Sequence, residues 1–252
     1  MAARDDIVAF LDDLLDIGSF EDYGPNGLQV PGAAEVGAVA TAVSASLELF
    51  RRAAEGGADL VVCHHGLFWN RQPRSLSEGM KERLRALIEA DMSLAAYHLP
   101  LDAHAEVGNN ALICDALGLE RSEPFGDHGG QPIGCVGRAP EPTGLDELIE
   151  RCRGAFDRDP LVLGAHPDEV ASVGIVSGGG GGSLAEAAAR GLDAFLTGEP
   201  EEPSMAEAAE AGVAFIAAGH YATETFGVRR LGELVADRFG VDHRFIDLPN
   251  PV

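Results

Sequence analysis

Short apolar runs alternate with Ala/Glu/Arg-rich stretches of helical period along most of the chain. The runs fall at 36–45, 58–63, 92–97, 133–138, 171–177, 193–197, 213–218 and 242–247, and the stretches between them at 46–56, 78–90, 106–117, 144–153, 183–190, 204–211 and 224–239 read as helices. A further helix opens the chain at 4–17, where Ile7, Phe10, Leu11, Leu14 and Leu15 recur at helical spacing with Asp on the opposite face. Strands alternating with helices of this length imply βαβ units, so an α/β fold with mostly parallel sheets is expected.

The chain has 252 residues, enough for one large or two small domains at about 100–200 residues each. A Gly/Pro-rich break at 124–132 is the best internal boundary, and Gly198-Glu199-Pro200-Glu201-Glu202-Pro203 marks a return. Two interlinked lobes are expected, one of residues 1–127 plus 206–252 and a second of 128–205. The first residues lack the basic and apolar regions of a secretory signal and no apolar stretch is long enough to span a bilayer, so a cytoplasmic protein without a membrane partner is expected.

The candidate chemistry lies just past the ends of apolar runs. His64 and His65 follow Val61-Val62-Cys63, His98 follows Leu94-Ala95-Ala96-Tyr97, and His220 follows Phe215-Ile216-Ala217-Ala218-Gly219. Ligands of open α/β sheets bind outside the carboxyl ends of the strands, so all three clusters are where a site belongs. His98 and Asp102 share the spacing of His220 and Glu224, four residues, which on a helix places both side chains on one face. Adjacent histidines on a regular strand point to opposite faces, whereas in a turn after the strand His64 and His65 can splay to address two ions. Four imidazoles and two carboxylates suffice for two divalent ions, and a donor set without thiolate suits Zn, Fe, Mn, Co or Ni. Two such ions activating a shared water would give hydrolysis of a small polar substrate.

Weaker features carry structural readings. His104 is a cap neighbour or a partner of the ligands, and His128, His166 and His243, lacking any matching spacing, are expected at the surface. Phe68 and Trp69 read as core. Thr197 and Glu199 either face the site or cap the helix at 204. Ser177 to Ser183 brackets five glycines, and such a turn either cradles a phosphate or packs closely, with no P-loop lysine following. The four cysteines form no C-x-x-C, so neither a disulfide framework nor a thiolate zinc site is implied.

Several motifs occur in order: Asn26-Gly27-Leu28-Gln29-Val30, His64-His65-Gly66-Leu67-Phe68-Trp69, His98-x-x-x-Asp102 followed by Gly108-Asn109-Asn110, Thr197-Gly198-Glu199, and Gly219-His220-x-x-x-Glu224. In these the chain resembles the Nif-three-like family of dinuclear-metal proteins, many of which carry the label GTP cyclohydrolase I type two. The resemblance implies two interlinked α/β lobes, a toroidal hexamer, and metal ligation by His64, His65, Asp102, His220 and Glu224. His98 is then a proton-transfer group, Glu224 is needed for catalysis, and the substrate is nucleotide-like. A metal carrier or regulatory scaffold using the same ligands is the rival expectation.

Charge bears on partners. Asp and Glu number 41 against 18 Lys and Arg, a net charge of −23, which argues against nucleic-acid binding because phosphate recognition rests on cationic contacts. Lys81 is the sole lysine. Such a surface fits a high-salt cytoplasm, where screening blunts self-repulsion. The melting temperature is therefore expected to rise from dilute buffer to molar KCl in a calorimetric scan; a fall would overturn the halophilic reading.

Overall fold

The computed structural model describes residues 1–252 and divides into two compact units, Met1–Leu101 with Gly227–Leu248, and Asp102–Phe226 with Pro249–Val252. Both are α/β.

The first unit is built on a five-stranded sheet in the order Asp242–Phe245, Ala38–Ser44, Leu60–His65, Ser93–Ala96, Gly27–Val30. The first four strands run parallel and Gly27–Val30 closes one edge antiparallel. Leu60 to Cys63 are buried because strands pair with this one on both sides and apolar side chains cover it. Helices Leu47–Glu55 and Glu78–Glu89 start at Ser46 and Ser77, whose hydroxyls accept from the backbone N–H of Leu49 and Met80, each at 3.1 Å. Leu49, Phe50 and Leu87 of these helices pack with Val61, Cys63, Met92 and Leu94. Helix Arg4–Leu15 buries Ile7, Val8, Leu11 and Leu15.

The second unit carries a six-stranded sheet in the order Glu120–His128, Gln131–Thr143, Val170–Ile175, Ala194–Thr197, Ala214–Ala217, Leu161–Gly164. Its three central strands are parallel and its outer ladders antiparallel. Successive residues enter different cores. Leu196 and Ile216 join Leu148, Cys152 and Val173 in one, while Phe195 and Phe215 join Phe125 and Leu184 in the other. A sheet covered on both faces explains why these strands read as unbroken apolar runs.

Three strands of the two large sheets lie outside the apolar runs. Gly27–Val30 follows the turn-rich loop at 22–27, Leu161–Gly164 is a short sheet edge, and Glu120–His128 is mostly exposed. The last pairs with Gln131–Thr143 through Gly129 and Gly130, both at positive φ (61° and 92°), the conformation of a tight two-residue hairpin turn. The Gly/Pro-rich break at 124–132 is thus a hairpin inside the second unit. The expected boundaries, 127/128 and 205/206, differ from the observed divisions at 101/102 and 226/227, because this hairpin and the strand Ala214–Ala217 belong to the second sheet. The segment at 198–203 is a loop inside that unit. No helix is long and apolar enough to cross a membrane.

Phe195 is fully buried against Phe125 and Phe215, with ring centroids 5.8 and 5.4 Å away. Phe195→Ala is expected to cost about 3–5 kcal/mol in urea unfolding, whereas Leu161→Ala, at a half-exposed edge, changes stability by no more than about 0.5 kcal/mol.

Candidate metal centre

In the first unit the strand Leu60–His65 runs through both histidines, so they end a strand and do not lie in a turn beyond it. Their ring centroids are nevertheless only 4.7 Å apart. His64 is fully buried, and its Nδ1 lies 2.9 Å from the carbonyl oxygen of Tyr97. A carbonyl only accepts, so Nδ1 carries the proton and Nε2 of the neutral ring keeps its lone pair. This is how a metal-ligating imidazole is oriented from behind. Tyr97 is held in turn by its N–H to the Cys63 carbonyl at 2.9 Å, which extends the ladder between the two strands, and by its hydroxyl donating to Asp12 at 2.8 Å. The Ser44 hydroxyl lies 3.0 Å from Nδ1 of His65.

His98 joins this pair. The ligand nitrogens of His64, His65 and His98 all fall within 4.8 Å of one another, a cluster compact enough for one divalent cation bound at about 2.0–2.1 Å per nitrogen. Nδ1 of His98 lies 2.7 Å from Asp22 Oδ1, and the other Asp22 oxygen accepts from the backbone of Leu99 and the amide of Asn26, each at 2.9 Å. Burial alone would raise the Asp22 carboxyl, but the hydrogen bond and charge of His98, with Asn26 and the backbone of Tyr23, outweigh it and hold the group below its ordinary range. An ionised Asp22 fixes the proton on Nδ1 of His98 and leaves Nε2 as the reactive nitrogen. Trp69 stands edge-on to His98 at 5.2 Å, so it borders the histidines, while Phe68 packs on the core as expected.

In the second unit His220 opens the short helix His220–Thr223, just past the strand Ala214–Ala217, and Glu224 ends it. Their spacing brings Nε2 of His220 to 3.1 Å from Glu224 Oε1, and Nδ1 lies 3.1 Å from Glu199 Oε1. The His220 pKa is raised to about 9, first by the hydrogen bond to Glu224 and then by both carboxylates' charge and the Glu199 bond, against burial. Asp102 is buried in the same unit and accepts from the Asn109 amide at 2.8 Å and the Ser177 hydroxyl at 2.9 Å. Asn110 accepts the Ser177 N–H at 2.7 Å.

The glycine turn explains how these groups approach one another. Gly178 has φ 62°, and a Cβ there would stand 2.1 Å from Glu224 Oε1 and 3.2 Å from Nε2 of His220. Ser177 thus touches Asp102 while its neighbour abuts Glu224. The Gly178 carbonyl accepts from Gly198 N–H at 2.9 Å and from the Thr197 hydroxyl at 3.1 Å. Of the two readings of the run, close packing is what Gly178 requires.

His104 forms a local cap, its Nδ1 accepting from the backbone of Glu106 and Val107 at 3.1 Å each. His166 is exposed, but His128 and His243 are only half exposed, the latter with Nε2 2.9 Å from the Thr41 hydroxyl. Burial holds the His243 pKa below its ordinary value. Asp22 and Tyr97 were missed as site groups, and Ser177 and Asn110 were read only as parts of the glycine turn and of the Gly108-Asn109-Asn110 motif. Asp22 sits in a loop legible only as a turn, and the Tyr97 contact is made through its backbone.

Residues 2–251 match the family described as Duf34/NIF3 (NGG1p interacting factor 3). The chain belongs to this family. It is 45% identical to the Deinococcus radiodurans protein named GTP cyclohydrolase 1 type 2 homolog, over 98% of this chain and 93% of that one. A Halobacterium salinarum protein of the same name is 43% identical over 97% of each. Among solved structures, protein ybgI, described as of unknown function, superposes with a TM-score of 0.94 at 36% identity over the whole of both chains. A Thermus thermophilus protein gives 0.92 at 38%, again over both whole chains.

Gly178→Ala forces a side chain into the left-handed region, at about 1–2 kcal/mol, and drives it into Glu224. A loss of at least about 2 kcal/mol is expected in urea unfolding, against no measurable change for Gly182→Ala, where a Cβ meets nothing within 4 Å.

Proposed function

We propose that this chain is a metal-dependent hydrolase holding two divalent ions through His64, His65, Asp102, His220 and Glu224 and acting on a small polar, nucleotide-like substrate. The observation that carries the reading is the imidazole cluster of His64, His65 and His98, in which the Tyr97 carbonyl accepts a hydrogen bond from Nδ1 of the buried His64 and thereby presents Nε2 as a ligand. The donor set of neutral imidazoles and carboxylates fits Zn, Fe, Mn, Co or Ni. The raised pKa of His220 adds support, because a place that retains a proton so firmly also favours a cation. Relatives named as cyclohydrolase homologs motivate the substrate class.

When bound, divalent ions supply a Lewis acid that lowers the pKa of a water from about 15.7 to about 7. His98 is not counted among the ligands and takes up and returns a proton at Nε2, since Asp22 engages its other nitrogen. Trp69, beside His98, limits the space on that side.

The test is elemental analysis of the purified protein together with turnover on a panel of nucleotides and phosphoesters. Metal retention, and turnover abolished in Glu224→Ala, are the expected results. Metal that exchanges readily with no turnover on the panel supports the carrier reading instead. A protein that binds no divalent metal, with His64→Ala indistinguishable from it, overturns both.

A further inference from the structure

The four cysteines are unequal. Cys63 and Cys152 are buried in the two cores; burial pushes both thiols up, Cys152 to about 12. Such thiols are inert. Cys114 and Cys135 instead face each other across the junction of helix Asn109–Ala116 and strand Gln131–Thr143. The Cys135 Sγ lies 3.5 Å from the carbonyl oxygen of Asn110, one helical turn before Cys114 on the same face. The Cys114 Sγ rests on Gly137, where a Cβ would come within 3.0 Å of it, and Gly137 shares its strand face with Cys135. The absence of a side chain at Gly137 makes room for one sulfur beside the other.

Access is one-sided. Cys135 is half buried and lines a cavity of about 580 Å³ together with Asp102, His104, Asn110 and Arg121, whereas Cys114 is buried behind it. A hydrogen bond from the Cys114 thiol holds the Cys135 thiol below its ordinary range, against burial and with help from Arg121, and the same contact pushes Cys114 up. The reachable sulfur is therefore Cys135, whose thiol donates to the Asn110 carbonyl, while that of Cys114 donates to the Leu119 carbonyl at 3.4 Å.

We propose that Cys114 and Cys135 form a reversible redox pair, in which Cys135 is oxidised by a hydroperoxide entering the cavity and Cys114 resolves the product as a disulfide. In the first step the Cys135 sulfur attacks the peroxide, an S–O bond forms, the O–O bond breaks and the second oxygen leaves as alcohol or water with the Cys135 thiol proton, so that sulfur is oxidised to sulfenic acid and the peroxide is reduced. The Cys114 sulfur then attacks Cys135, the S–O bond breaks, and hydroxide departs as water with the Cys114 proton. An external thiol reverses the bond. Asn110 accepts from the Cys135 thiol through its carbonyl and holds Ser177 through its side chain, so disulfide formation reaches the turn that holds Asp102. Only this last consequence rests on the proposed metal centre.

The test uses the full chain, reduced and freed of reductant, then titrated with hydrogen peroxide. Non-reducing peptide mass spectrometry is expected to show one Cys114–Cys135 linkage, two hydrogens lighter than the reduced pair and reversed by dithiothreitol, with Cys63 and Cys152 still reduced. In Cys114→Ser, Cys135 is expected to stop at a sulfenic acid that dimedone captures. Should that variant not fold, alkylation of the unaltered chain by iodoacetamide decides, with Cys135 modified at least about tenfold faster than Cys63 or Cys152. Equal reactivity of all four thiols, or oxidation of Cys135 to sulfinic acid without a linkage, overturns the proposal whatever the metal content.

Discussion

The hydrogen bond from Nδ1–H of His64 to the carbonyl of Tyr97 is the contact on which the first unit's site depends. An imidazole with none of its surface exposed, at the end of an apolar strand, is tenable only if its polar atoms are satisfied. The partner arrives through the sheet itself, because Tyr97 follows the strand Ser93–Ala96, whose pairing with Leu60–His65 sets its height against His64. The same ladder delivers His98, one residue on, to the carboxylate of Asp22. One register thus sets the tautomers of two rings, and a slip of one residue would face both wrongly.

The second unit solves a different problem, that of bringing carboxylates close inside a dry strand-end region. Three strands end side by side, and the turns that leave them are stitched by backbone atoms, with Gly219 N–H donating to the Gly198 carbonyl at 2.7 Å and Gly198 N–H to that of Gly178 at 2.9 Å. Any side chain at Gly178 would occupy the space of the Glu224 carboxylate. The five-glycine run therefore reflects crowding at its first member, with Gly182 left open.

The sequence was most legible where burial is two-sided. Ala38–Ser44, Leu60–His65, Val170–Ile175 and Ala214–Ala217 are mostly apolar and mostly buried, and each falls in a run. Glu120–His128 escaped because an edge strand needs only one apolar face and this one is largely exposed. The hairpin turn at Gly129 and Gly130 then resembled a linker, since tight turns and linkers draw on the same residues. Within the site, spacing alone indicated that His220 reaches Glu224, whereas the supports of His64 and His98 were illegible. One is a main-chain carbonyl, which any residue supplies, and the other an aspartate 76 positions away.

The acidity of the chain and the character of its site are connected. On the surface, carboxylates are hydrated and cost little. At Glu224, buried beside the partly exposed His220, whose other nitrogen meets Glu199, water compensates the negative charge less well. The response is to draw a proton onto His220 and keep it there to about pH 9. A proton is the smallest cation able to neutralise that pair, and a divalent ion does so more strongly while leaving the imidazole neutral. A divalent ion at the proposed centre would compete with that proton for the same electrons on Nε2, drawn by the potential that raises the histidine's pKa.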